Sequence, residues 1–321
     1  MRLATYRKGK EDRLGIVWED KVIDYNTGAR LLSPKGKGAA KTFAQVDLRG
    51  FLSLGASAVR MAKKVEAWVG SQSAGKFRAS LKSWVFDLAK VKLLPPLKNP
   101  PKILCLARNY ASHIREVSAV EPFPEDILVF MKPATAIIGP DDPVVISPEC
   151  RLLDHEVELA LVVGKRGRNI PEEKAMEHLA GYTILNDISD REYRQMRNPP
   201  HHVNWFFMKA QDTFAPLGPF LVGKEEVRNP HTLRLRLWVN GELRQDSARE
   251  EMIFKVPAIL SRISRFVTLE PGDIIGTGTP TGTSFGTQQY LRGGDVVECE
   301  IEGIGRLRNS IQVEEPTYRR R

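Results

Sequence analysis

The sequence is poor in cysteine and has no long apolar run. Its 321 residues include three cysteines, Cys105, Cys150 and Cys299, which are far apart and follow no metal-binding or redox spacing. This usage is typical of a reducing cytosol. No run of about 18 apolar residues occurs, so no membrane span is expected. The opening "MRLATYRKGK" lacks the apolar core of a secretion signal, and we therefore expect a cytoplasmic protein with no membrane partner.

Aromatic residues are also scarce around the basic clusters of the chain. The net charge is +9, a balance found in proteins that bind nucleic acids. However, the clusters at 34–41 ("PKGKGAAK") and 318–321 ("YRRR") lack the interleaved aromatic residues of a base-stacking platform. We interpret them as a solvated loop and a tail, with an attraction for anionic substrates. No nucleic-acid partner is expected, and a basic, non-catalytic nucleic-acid-binding protein is the distant alternative.

The chain is longer than a single small core usually needs. Residues 93–102, "LLPPLKNPPK", contain two Pro-Pro pairs, which neither a helix interior nor a central strand accommodates. We therefore predict a small N-terminal α+β domain at 1–98 and a catalytic domain at 99–321. The first domain has predicted strands at 13–25 and predicted helices at 57–69 and 76–88.

After this boundary, strand patterns exceed helix patterns. Helices are predicted at 111–117, 172–182 and 257–266, and an Asn240-Gly241 pair predicts a hairpin turn. The hairpins favour mostly antiparallel sheets, so the fold class is predicted as mainly β, or α+β.

The stretch "LLDHEVELALVVGK" places two carboxylates in an apolar strand. Glu156 and Glu158 have a one-residue gap and fall on the same face of a strand, whereas His155 falls on the other. Their Cα atoms lie roughly 7 Å apart, where two charges repel by about 2 kcal/mol at an effective dielectric near 20. An edge strand with its polar face in water is the commoner origin of this pattern.

A third carboxylate favours a metal site instead. Asp187 ends the next apolar run, "GYTILND", and a helix between the two strands would let them lie side by side. Three converging carboxylates form an oxygen site for a hard divalent cation. No cysteine belongs to the group, so Mg²⁺, Mn²⁺ or Ca²⁺ is favoured over zinc.

Other candidate residues carry weaker signals. His113 and Glu116 are three residues apart on one helical face, as in a general-base dyad or an ordinary surface pair. Lys209 lies in "KAQDTFAPLGP", ahead of a Pro-Leu-Gly-Pro turn, although an isolated lysine is usually a surface residue. The loop "GTGTPTG" offers N–H groups and hydroxyls to an anion, or forms a plain turn between strands.

Seven segments in this order resemble the fumarylacetoacetate hydrolase family. They cover about 103–309 and are "ARNYASHIREV", "DHEVELALVVGK", "GYTILNDISDRE", "KAQDTFAPLGP", "VNGELRQDS", "PGDIIGTGTPTG" and "GDVVECEIEGIGRLRN". The resemblance implies mixed β-sheets rolled into a sandwich, a homodimer and a Mg²⁺ or Mn²⁺ site. It implies a role for each of the following residues: metal ligands Glu156, Glu158 and Asp187; catalytic residues His113, Glu116 and Lys209; substrate-binding residues Arg191, Thr279 and Tyr110.

The resemblance leads to a first hypothesis of C–C bond hydrolysis in a 2,4-dioxo acid, such as an acylpyruvate. The metal would chelate the substrate and stabilise a pyruvate enolate, while His113, oriented by Glu116, would activate water. Lys209 would stabilise charge or relay a proton. The alternative is a 2-oxo acid decarboxylase, isomerase or tautomerase at the same metal site, acting on oxaloacetate or a 2-hydroxyhepta-2,4-dienedioate.

One segment departs from the family pattern. "SDRE" replaces S-A-R-D, and the residues at 193–208 align poorly with relatives, in which they help to shape the substrate pocket. A glutamine commonly follows the family arginine by three residues. This chain has Arg194 at that place.

Overall fold

A computed structural model describes most of the chain. The described residues are 1–33, 46–72, 81, 83–118, 120–194, 196–197, 200–247 and 251–315. Both basic clusters, and residues 76–80 and 82 of the helix predicted at 76–88, lie outside them. Within the described residues, no helix is long and apolar enough to cross a membrane.

Strands dominate the regular structure. In chain order they are β1 (Arg2–Lys8), β2 (Glu11–Trp18), β3 (Lys21–Asp24), β4 (Val85–Asp87), β5 (Lys92–Leu94), β6 (Ile103–Ala107), β7 (Leu128–Lys132), β8 (Ile137–Ile138), β9 (Val144–Ile146), β10 (Leu153–Asp154), β11 (Val157–Val163), β12 (Leu179–Asn186), β13 (Ser189–Asp190), β14 (Met196–Arg197), β15 (Pro200–His202), β16 (Ala215–Gly223), β17 (Leu235–Val239), β18 (Glu242–Asp246), β19 (Ile274–Gly276), β20 (Val296–Ile301) and β21 (Gly305–Val313). The α-helices of the described residues are α1 (Tyr25–Leu32), α2 (Leu48–Leu54), α3 (Ala56–Ser71), α4 (Ala111–Val117), α5 (Trp205–Lys209), α6 (Val256–Phe266) and α7 (Ser284–Thr287).

One large sheet contains twelve strands and runs through both halves of the chain. Its main path is β4-β3-β2-β1-β16-β12-β11-β19-β6-β7, while β5 pairs with β1 and β8 with β16. β1 lies antiparallel to β16, with Leu3 opposite Leu221. Strands from before residue 98 therefore continue the sheet of the later strands. The division into domains at 1–98 and 99–321 stays a prediction.

A second sheet of five strands packs on the first. Its order is β18-β17-β20-β21-β9. Leu159 and Tyr182 of the large sheet belong to the same buried cluster as Leu237, Cys299 and Leu307 of the small one. The predicted fold, mainly β with mixed sheets rolled into a sandwich, is confirmed.

Several local predictions are confirmed, one helix prediction is wrong, and another is wrong at its described end. α3, α4 and α6 lie where helices were predicted, and Asn240 and Gly241 have φ of 51° and 83° in the predicted hairpin.

The helix predicted at 172–182 is only a 3₁₀ turn, Glu172–Glu177, because β12 already begins at Leu179. β12 is central and largely buried, so its apolar run lacks the alternation that marks a strand. The described end of the helix predicted at 76–88 contains β4, which pairs with β3 instead.

Candidate metal centre and substrate cavity

Two neighbouring strands bring three carboxylates together. β11 and β12 are antiparallel, with Glu158 opposite Leu185. Glu156 lies just before β11 and Asp187 just after β12, and the Asp187 N–H donates to the Glu156 carbonyl over 2.9 Å. One carboxylate oxygen from each of the three side chains lies within 4.8 Å of the others, and all three side chains are buried. The predicted ligand set thus converges.

The state of Glu158 fits a bound cation. One of its oxygens accepts a 3.1 Å hydrogen bond from Gly278 N–H, and the other, Oε1, is buried without a partner among the described residues. Burial, together with the charges of Asp187 and Glu156, raises the pKa of Glu158 well above its usual value. A buried oxygen without a partner is costly, and a hard cation would satisfy it. The cluster is a candidate site for a divalent cation.

Two buried lysines contact the same carboxylates. Lys209, at the end of α5, donates to Glu156 Oε2 over 2.9 Å and to Asp187 Oδ2 over 2.6 Å. Burial lowers the pKa of Lys209, but Asp187 and Glu156 outweigh this and raise it above its usual value. Lys209 is therefore a cation at neutral pH.

The second lysine, Lys132, was missed by the sequence analysis. It ends β7, is 1% exposed, and donates to Asp187 Oδ1 over 2.5 Å and to the Ile188 carbonyl over 3.0 Å. The signal that marks it is a lysine at the end of an apolar strand, directly before Pro133.

Arg191 links the cluster to a further buried carboxylate. Its Nε donates to Asp154 Oδ2 over 2.7 Å, and its Nη2 donates to Glu156 Oε1. Burial raises the pKa of Glu156, but Lys209 and Arg191 outweigh it and bring that pKa to about 2. Glu156 is therefore ionised at neutral pH, as a metal ligand must be.

His113 and Glu116 form the pair that their helical spacing predicts. His113 Nδ1 lies 3.3 Å from Glu116 Oε2, and Gly282 N–H donates to Glu116 Oε1 over 2.8 Å. Burial raises the pKa of Glu116, but the hydrogen bonds from His113 and Gly282 lower it below its usual value overall. Glu116 thus anchors α4 to the loop "GTGTPTG" at 276–282, the Gly-Thr loop, and orients the imidazole.

Gln245, which the sequence analysis missed, donates hydrogen bonds to the Gly-Thr loop. Thr279 Oγ1 donates to the Val157 carbonyl and accepts from Gln245 Nε2, both over 2.9 Å. Gln245 is fully buried and lies in "RQDS", inside a segment that was noted only for its family resemblance. The Tyr110 hydroxyl lies 3.5 Å from Thr277 Oγ1.

A cavity of about 470 Å³ opens onto this cluster. Five of the predicted residues line it: His113, Glu156, Arg191, Lys209 and Thr279. Apolar walls come from Phe130, Trp205, Met208 and Phe285. The structure does not bring Tyr110 to the lining of the cavity, and its substrate-binding role stays a prediction.

The sequence of this region matches a known family. Residues 102–312 match the fumarylacetoacetate (FAA) hydrolase C-terminal domain. The chain belongs to the fumarylacetoacetate hydrolase family. The resemblance noted from the seven segments is confirmed, and so is the expectation of an enzyme of this family.

Within the family, the curated relatives include oxaloacetate tautomerases. The chain is 39% identical over 266 residues to a Xenopus laevis protein named as a mitochondrial oxaloacetate tautomerase, covering 82% of this chain and 78% of that protein. It is 43% identical over 229 residues to one from Bos taurus, covering 71% of each.

Among solved structures, the maleylpyruvate hydrolase of Sphingobium in complex with manganese(II) and pyruvate is similar. Its TM-score is 0.69 and its identity 28%, and the match covers 98% of this chain and 100% of that chain.

Proposed function

We propose that this enzyme interconverts the keto and enol forms of a 2-oxo acid, and that oxaloacetate is the first substrate to test. The observation that carries the proposal is the 39% and 43% identity to oxaloacetate tautomerases, against 28% to the maleylpyruvate hydrolase. Tautomerisation was the alternative hypothesis from the sequence. It now takes precedence over hydrolysis of a C–C bond in a 2,4-dioxo acid.

The metal preference is part of the proposal. Glu156, Glu158 and Asp187 would hold Mg²⁺ or Mn²⁺, which prefer oxygen ligands, and the manganese complex of the Sphingobium relative supports this choice. The chemistry that such a cation supplies when bound is polarisation of the 2-oxo carbonyl, which acidifies the adjacent C3–H.

The chain's own residues suit the transfer of a proton from C3 of the substrate to its 2-oxo oxygen. His113 lines the cavity, and its imidazole, paired with Glu116, would take the proton from C3. The positive charge of Lys209 would stabilise negative charge developing on the 2-oxo oxygen. A proton then joins that oxygen, so one C–H bond breaks, one O–H bond forms, and no water is consumed. Hydrolysis would instead require the same imidazole to activate water against C4.

A three-arm assay on the purified protein tests the proposal. With Mg²⁺ or Mn²⁺ present, enol-oxaloacetate should lose its ultraviolet absorbance faster than without protein. Acylpyruvates should release little pyruvate, and oxaloacetate should release little CO₂. Rapid pyruvate release from acylpyruvates without any effect on the enol would overturn tautomerisation in favour of hydrolysis.

Replacing the imidazole tests its role. His113→Asn should slow enol loss by about 100-fold or more, the usual contribution of a general base. His178→Asn is the matched control, because His178 contacts the Lys165 carbonyl and does not line the cavity. Equal rates in the two variants would remove His113 from the mechanism.

A further inference from the structure

Arg194 differs from the other lysine and arginine side chains of the cavity in its ion pairing. Lys209 and Arg191 bind the carboxylates of the metal cluster, and Arg108 forms an ion pair with Glu121. Arg194 also lines the cavity, yet it forms no ion pair with any carboxylate in the described part of the chain. A cavity cation without a partner is costly to desolvate unless a ligand supplies the opposite charge.

Arg194 lines the same cavity as Glu156 and lies over the same aromatic ring as Arg191. Its central carbon lies 4.2 Å from the centroid of the Phe285 ring. The guanidinium carbon of Arg191, which contacts Glu156, lies 5.5 Å from the same centroid. The two arginines are therefore neighbours on one ring. Burial and the charges of Arg191 and Arg108 lower the pKa of Arg194 from its usual value, although the charge of Glu121 opposes this shift.

The N–H groups of Arg194 are available to a ligand. The guanidinium carbon lies over the Phe285 ring, and in the described part of the chain the five N–H donors, which lie in one planar fork, form no hydrogen bond. Such a fork matches the geometry of a carboxylate. Arg191 is less suited to this role, because its Nε and Nη2 are already bound to Asp154 and Glu156.

We propose that Arg194 binds the second carboxylate of a 2-oxo dicarboxylate and so selects dicarboxylates over 2-oxo monocarboxylates. The inference rests on the proposed function, since it assumes that the 2-oxo acid end of the ligand lies at the carboxylate cluster. It adds a residue that determines specificity.

Two ligands that cannot tautomerise separate recognition from turnover. Freshly prepared 3,3-dimethyloxaloacetate and trimethylpyruvate both lack a hydrogen at C3, and they differ only by a carboxylate in place of a methyl group. Calorimetric titration of the Mg²⁺-loaded protein should give tighter binding of the dicarboxylate by about 10-fold or more, the range of a charge-assisted hydrogen bond.

The Arg194→Gln variant is the decisive comparison. It should weaken binding of 3,3-dimethyloxaloacetate by about 10-fold or more and change binding of trimethylpyruvate by less than about twofold. Arg194→Lys, which keeps the charge, should retain part of the preference. Arg115→Gln, an exposed change on α4 outside the cavity lining, should behave like the unmodified protein.

The outcomes distinguish this inference from the proposed function. The inference would be overturned if Arg194→Gln weakened the binding of both ligands equally, or if it left the preference for the dicarboxylate unchanged. If the unmodified protein binds neither ligand, the proposed function and the inference fail together. If it binds both with the expected preference but does not accelerate loss of enol-oxaloacetate, the proposed function fails and the role of Arg194 stands.

Discussion

Glu158 has a buried carboxylate oxygen with no hydrogen-bond partner in the described part of the chain. The oxygen is Oε1, the side chain is fully buried, and Asp187 and Glu156 repel its charge. Glu156 and Asp187, in contrast, are each neutralised by lysine contacts. At the scale of single residues, Glu158 therefore depends most on a cation.

Replacing the Glu158 carboxylate should remove most of the stabilisation that a bound cation gives to the folded protein. In the unmodified protein, Mg²⁺ at 100 times its Kd should add about 2.7 kcal/mol to the free energy of unfolding. Glu158→Gln should lose most of that gain, because one of three anionic ligands is gone. Without Mg²⁺ it should be at least as stable as the unmodified protein, since an amide is neutral at a place where burial, Asp187 and Glu156 disfavour a negative charge.

Thermal unfolding with and without Mg²⁺ measures both effects. Glu173→Gln is the control, because Glu173 is an exposed glutamate on the 3₁₀ turn before β12. A full Mg²⁺-dependent rise in Tm for Glu158→Gln would mean that the cluster is not the cation site.

At the scale of elements, β19 makes room for the cluster. It lies between β11 and β6, with Gly276 opposite Ala160. A Cβ at Gly276 would overlap Glu158 Oε2 and lie 3.1 Å from Leu185 Cδ2 and 3.3 Å from Cys105 Sγ. Glycine is thus required here for space, because its missing side chain is replaced by the Glu158 carboxylate.

Adding a methyl group to β19 should damage the site through packing. Gly276→Ala should lower the free energy of unfolding by about 1–3 kcal/mol, the usual cost of overpacking a core. It should also weaken Mg²⁺ binding, since the Glu158 carboxylate must move.

Urea unfolding and a Mg²⁺ titration check these expectations. Gly70→Ala in α3 serves as the matched change, because its Cβ would meet only a Trp18 ring atom at 3.9 Å. That variant should be neutral or slightly more stable, as alanine favours helices. A neutral result for Gly276→Ala would show that the site has more room than the structure indicates.

At the scale of the whole molecule, the N-terminal strands share a core with the catalytic part. One buried cluster contains Ile16 and Ile23 from the first 98 residues, and Ile103 and Ile274 from the rest. The β1–β16 pairing joins the same two parts through one sheet. A cytoplasmic location and a homodimer stay predictions, and the relatives of Xenopus and Bos are named as mitochondrial.

The shared sheet and core predict that both parts unfold together. Hydrogen-exchange mass spectrometry at increasing urea should give the same midpoint for peptides from β2 and from β12. The reason is that opening either strand exposes apolar surface of the common core. Two separated midpoints would instead support independent domains divided at residue 98.

The sequence by itself determined the features that depend on local spacing. A period of two puts Glu156 and Glu158 on one face of a strand, and helical spacing puts His113 beside Glu116. Only the tertiary structure decided which distant residues meet them. Lys132 reaches Asp187 across 55 positions, and Gln245 reaches Val157 across 88.

The same distinction explains Tyr110 and Arg194. Family spacing assigns Tyr110 to the substrate, yet the path of the chain turns its hydroxyl towards Thr277. The sequence marks Arg194 only as a departure from the family pattern. Its lack of a carboxylate partner among the described residues is visible only in the folded cavity. Contacts between distant residues depend on strand order and packing, which the local pattern of residues does not encode.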